Sequence, residues 1–127
     1  MAFPWPFGCP ASLARMPEEP AATFRATADH RPQAVVIVAE GELDLVGGPR
    51  LIGALPQEGE GPVVLDLGSV AFMDSSGLRA LLEARQACLD AGRPFALARP
   101  SDAVLRVLEL VDLAREFEVL DAPPGSG

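Results

Sequence analysis

Two adjacent stretches constrain this chain more than anything else in it. Val63-Val64-Leu65-Asp66-Leu67 is apolar at successive positions, the pattern of a strand covered on both faces. Residues 68–73 read as the connection that follows. At Asp74-Ser75-Ser76-Gly77 a helical period then begins at once and runs from about Ser75 to Ala91. A buried strand that feeds a helix needs neighbouring strands to pair with and a layer to pack under.

The remaining segments supply both. Phe24–Ala28 reads as a short strand, residues 29–33 as a turn, and 34–43 as a Val- and Ile-rich strand that pairs back as a hairpin. Gly47-Gly48-Pro49 opens a helix carrying Leu51, Ile52 and Leu55, since proline is tolerated in the first helical turn. In the long helix Leu78, Leu81, Leu82, Cys88 and Leu89 make the apolar face, and Arg79, Glu83, Gln86 and Asp90 the polar one. Gly92-Arg93-Pro94 stops it, because glycine accepts the left-handed conformation past a helix end. Phe95–Ala98 is a short buried strand, Ser101 and Asp102 cap a helix with Val104, Leu105, Leu108 and Val111 at helical spacing, and residues 117–120 form a last strand. The order is ββαβαβαβ, an α/β sandwich with right-handed crossovers. Five prolines within residues 1–22 predict a flexible arm rather than regular structure, with Phe3, Trp5 and Phe7 available for docking, and residues 123–127 read as a flexible tail.

Composition removes several classes of function. The formal net charge of -8 disfavours nucleic acid and anionic membrane surfaces and leaves a basic protein partner open. Cys9 and Cys88 are too far apart in character and position for a disulfide framework or a metal site. No run of about 18 apolar residues is present. A cytoplasmic setting is expected.

The chain contains no lysine, tyrosine or asparagine. A Walker A loop and Ser-Lys chemistry are therefore ruled out, no Gly-x-Gly-x-x-Gly follows a strand, and no cofactor is expected. A hydrolase would need Ser75 or Ser76 with His30 as base, yet His30 falls in a predicted hairpin turn. What the Asp-Ser-Ser-Gly step offers is a hydroxyl at a helix start. It serves either as an N-cap or as a phosphoacceptor, where the added anion is tolerated by the helix end but not by a partner laid over it.

Four blocks together, Gly41-Glu42-Leu43-Asp44-Leu45, Val63–Leu67, Phe72–Leu82 and Ser101–Leu110, resemble the successive blocks of a STAS domain over residues 23–122, and specifically the stand-alone anti-sigma factor antagonists of bacteria. The resemblance implies a mixed sheet flanked by helices and a non-enzymatic partner-switching role. The expected partner is an anti-sigma factor that is a serine kinase of the histidine-kinase-like ATPase fold, with binding ended by phosphorylation. It implies Ser75 as phosphoacceptor, Asp74 flanking it, Ser76 and Gly77 shaping the helix start, and Asp44 contacting the kinase, unless Asp44 is simply a cap. Where relatives commonly carry Thr or Ser shortly after that aspartate, this chain has Gly47-Gly48, which puts a polar partner contact there in doubt. A STAS subunit of another assembly, such as a lipid-transport or stress-signalling complex, is the alternative.

Overall fold

The computed structural model describes residues 24–124; the arm expected over residues 1–22 and the end of the expected tail, 125–127, lie outside the described residues. The elements are β1 (Phe24–His30), β2 (Val35–Leu43), α1 (Gly47–Ala54), β3 (Val63–Met73), α2 (Ser75–Asp90), β4 (Phe95–Ala98), α3 (Asp102–Leu110), a 3-10 turn (Ala114–Glu116) and β5 (Glu118–Leu120). They build one five-stranded sheet in the order β1-β2-β3-β4-β5, with β1 antiparallel to β2 and every later pair parallel. The mixed α/β sheet and the order ββαβαβαβ are those expected.

Because β2 to β5 lie in sequence order, right-handed crossovers all fall on one side of the sheet. The main core accordingly joins Leu51 of α1, Leu81 of α2 and Leu108 of α3 to Ile37, Leu65 and Leu97, all six without exposed surface.

Three local readings need correction. β1 continues to His30, which ends a strand instead of sitting in a turn. The long helix buries Ala80, Leu81, Ala84 and Cys88, while Leu89 is 45% exposed. The buried stripe follows the steps 77, 81, 84 and 88, and Leu89 lies a further 100° around the helix. Finally, β3 does not end at Leu67 but runs to Met73. Its register against β2 slips between Val38/Glu40 and Gly41/Glu42, and the Gly68 amide next to the first slip donates to the Asp66 carboxylate at 3.1 Å. Bulges of this kind bend a strand without ending it. Since β4 pairs with β3 only as far as Asp66, β2 and β3 project beyond it as a two-stranded ribbon.

The stop after α2 behaves as predicted, with Gly92 at φ +75° and the Arg93 amide donating to the Cys88 carbonyl at 2.8 Å. The Arg93 side chain has a role the sequence did not disclose. It is 5% exposed and donates to the carbonyls of Gly61 (2.8 Å), Glu58 (3.1 Å) and Glu60 (3.1 Å), holding the loop before β3. At the C-terminal end Pro123 is buried, and the Pro124 carbonyl accepts from Arg31 at 2.8 Å.

Candidate functional site

The β2–β3 ribbon ends at the pair Leu43 and Met73, and an aspartate follows each. Asp44 Oδ1 accepts from the amides of Val46 (3.0 Å) and Gly47 (2.9 Å), and its carbonyl accepts from Gly48 (2.8 Å). Asp74 repeats the arrangement one strand over, with Oδ1 accepting from Ser76 (2.9 Å) and Gly77 (3.1 Å) and its carbonyl from Leu78 (2.9 Å). Parallel strands are about 4.8 Å apart, so two aspartate-capped helix starts stand side by side on one edge of the molecule.

This settles which residue caps α2. The sequence left the Ser75 hydroxyl as a candidate cap; Asp74 takes that place. Ser75 is exposed, and no described residue hydrogen-bonds its hydroxyl. Asp44 likewise accepts from the amides that open its helix, and its side chain is half-exposed. Ser76 is half-buried and Gly77 buried. A Cβ at Gly77 would run into the Leu43 carbonyl and into Met73 Cγ, so glycine there seats the first turn of α2 against the end of β2. Gly77 thus places the site without offering a side chain to it.

The Gly47-Gly48 pair has the same explanation. A Cβ at 47 would lie 2.5 Å from the Glu42 carbonyl oxygen and 3.0 Å from Phe24 Cγ; one at 48 would lie 3.1 Å from Ala80 Cβ. Glycine lets α1 pack onto β1 and onto α2; a side chain at 47 has no room, and one at 48 needs Ala80 to give way by a few tenths of an ångström.

Beyond that close approach the two helices part around a cavity of about 570 Å³. Gly48, Ile52 and Ala80 contribute apolar wall, Asp44, Arg79 and Glu83 bring charge, and Ser75 and Ser76 complete the lining. Sequence reading placed Arg79 and Glu83 on the polar side of α2 but did not show that this side walls a cavity. It also passed over Leu45 (74% exposed), Val46 (55%) and Phe72 (46%), large apolar side chains beside the two aspartates. Two apolar residues directly after a capping aspartate were the signal available for Leu45 and Val46.

The hydrolase pair is not assembled. His30 pairs with Val35, at the opposite end of β2 from Leu43 and so roughly 26 Å along the strand from the Ser75 end. Among the described residues no group of three His, Cys, Asp or Glu side chains is placed to hold a metal ion, and no helix is long and apolar enough to cross a membrane.

Comparison with known proteins agrees with the architecture. A family model described as "Mlab, STAS domain" matches residues 26–121. The chain belongs to the STAS family. Among solved structures, this STAS domain is similar to an anti-sigma factor antagonist from Mycobacterium paratuberculosis at 23% identity and a TM-score of 0.63, over 78% of this chain and 86% of that one. The Bacillus cell fate determinant SpoIIAA in its phosphorylated form matches at 21% identity and 0.57, over 79% and 93%. A sulfate transporter family protein from Wolinella succinogenes matches at 17% identity and 0.61, over 74% and 81%. At these identities the likeness is one of fold.

Proposed function

We propose that this STAS domain is an anti-sigma factor antagonist that binds an anti-sigma factor kinase of the histidine-kinase-like ATPase fold through the Asp44 and Asp74 helix starts, and that phosphorylation of Ser75 ends the binding. The observation that carries the reading is the Ser75 hydroxyl, exposed and without a hydrogen bond among the described residues, beside a cap made by its neighbour. A serine engaged in capping would have to leave its helix to react; this one would not.

In the transfer, Ser75 Oγ forms a bond to the γ-phosphorus of ATP while the bond to the ADP oxygen breaks, and the hydroxyl proton passes to a base on the kinase. The product adds about -1.5 to -2 charges to a cavity wall that also carries the exposed Leu45. The positive end of the α2 dipole favours that charge in the free protein, while the Ser76 and Gly77 amides stay with Asp74. A partner covering this cavity mouth and Leu45 would have to desolvate it, so the fold survives and the interface does not.

A second reading keeps the fold and places the chain as a STAS subunit of another assembly. The description of the matching family model and the likeness to a sulfate transporter family protein favour it. Incubation with ATP and the cognate kinase, followed by peptide mass spectrometry, separates the two: one phosphate on Ser75 and none on Ser76 supports the switch, and an unmodified Ser75 with an active kinase supports the second reading.

A further inference from the structure

A phosphate on Ser75 meets a helix start whose usual anion donors are already engaged. The Ser76 and Gly77 amides donate to the Asp74 carboxylate, and the Leu78 amide to the Asp74 carbonyl. The surroundings are acidic as well: Asp74 directly precedes the serine, and Asp44 and Glu83 line the same cavity. Among the described residues of that lining one cation is present, Arg79. It is exposed, and within the described residues its guanidinium makes no hydrogen bond and no ion pair.

Arg79 follows Ser75 by four residues on α2, which makes the two side chains neighbours one turn apart on the same face. Helical side chains lean towards the N-terminus, so the guanidinium is carried over the turn that holds Ser75. The order of charges matters too. An anion four residues ahead of a cation is the favourable arrangement along a helix, and the reverse is weaker. Glu83, four residues beyond Arg79, offers the weaker order, and the two form no ion pair although both line the cavity.

We propose, resting on Ser75 as the phosphoacceptor, that Arg79 is the intramolecular receiver of the phosphate, its guanidinium pairing with phosphorylated Ser75 across one turn of α2. A guanidinium matches a phosphate with two parallel N–H···O bonds. The pair holds the group against α2 at the cavity, and it offsets Asp44, Asp74 and Glu83, which on their own favour the singly charged phosphate. The switch then works with close to its full double charge at neutral pH.

Phosphoserine encoded genetically at position 75 of the full-length chain tests the pair without any kinase, with the phosphorus NMR resonance followed against pH. A neighbouring cation favours the dianion, so the midpoint of the second phosphate ionisation is expected about 0.3 of a pH unit lower with Arg79 present than in Arg79→Gln. Arg79→Ala takes the place of Arg79→Gln should the latter not fold by circular dichroism. Arg79→Lys is expected in between, since lysine keeps the charge and loses the fork. Arg106→Gln removes the same charge from an exposed position on α3 and is expected to leave the midpoint where the parent has it. Equal midpoints with and without Arg79 overturn the proposal. So does an equal rise in Arg106→Gln, which assigns the effect to net charge alone. Failure of the phosphoacceptor reading is seen separately, as an unmodified Ser75 after incubation with an active kinase.

Discussion

Ser75 is available for chemistry because Asp74 occupies the capping position. Serine at a helix start is ordinarily held by the amides two and three residues on; here a carboxylate takes those amides and leaves the hydroxyl to solvent. Asp44 does the same for α1. Replacing either aspartate by alanine is expected to cost about 1 kcal/mol in urea unfolding. Asp74→Asn, which keeps an oxygen acceptor, is expected to recover most of the loss. An Asp74→Ala variant as stable as the parent would mean that another group caps α2, with Ser75 the first candidate. The glycines around these caps belong to the same scale. Gly47 and Gly77 stand where backbone comes too close for a side chain, and Gly48 where Ala80 leaves little space for one.

At the scale of elements, the ribbon formed by β2 and the bulged second half of β3 carries both aspartates past the end of β4. The loop that leads into β3 is held from the far side by Arg93, a buried guanidinium satisfied by three carbonyls. Arg93→Met strips those carbonyls of their donor and is expected to cost about 1–3 kcal/mol. Cleavage by a glutamate-specific protease at Glu58 and Glu60 should accelerate in parallel, and unchanged cleavage would show that the loop is held by something else. Much of this architecture was legible beforehand. Element order and the mixed sheet follow from alternating apolar periods, and the α2 stop from Gly92. The full length of β3 was not, since Gly68-Ser69 looks like a break and only the slip in register turns it into a bulge. The Arg93 clamp and the cavity were hidden for a related reason: each depends on a contact between residues some 30 positions apart, such as Arg93 with Gly61 or Gly48 with Ala80. The site itself was half legible, because the Asp-Ser-Ser-Gly step was plain while its twin at Asp44 needed the parallel pairing of Leu43 with Met73.

For the molecule as a whole, one core beneath three helices includes a titratable group. Burial pushes the Cys88 thiol above its ordinary value, and the charge of Arg93 pulls it part of the way back. The folded chain therefore holds this proton more tightly than the unfolded chain does. The resulting stability is fully present below the unfolded thiol value of about 8.5 and is lost as pH rises through the folded one. The urea midpoint is expected to fall between about pH 8 and pH 10, and Cys88→Ala should flatten that part of the profile; an equal slope in both would contradict it. The net charge of -8 acts on the same scale, favouring a partner with a basic surface and an association rate that drops as salt is added.

The central claim is that charge on Ser75 breaks a protein interface without disturbing the fold. Calorimetric titration of the cognate anti-sigma factor kinase with the parent, Ser75→Ala and Ser75→Asp tests it most directly. Burial of an uncompensated anion at an interface costs at least about 2 kcal/mol, so Ser75→Asp is expected to bind at least about 30-fold more weakly than the parent at an unchanged melting temperature, with Ser75→Ala close to the parent. Equal affinity of the Ser75→Asp variant and the parent would contradict the account.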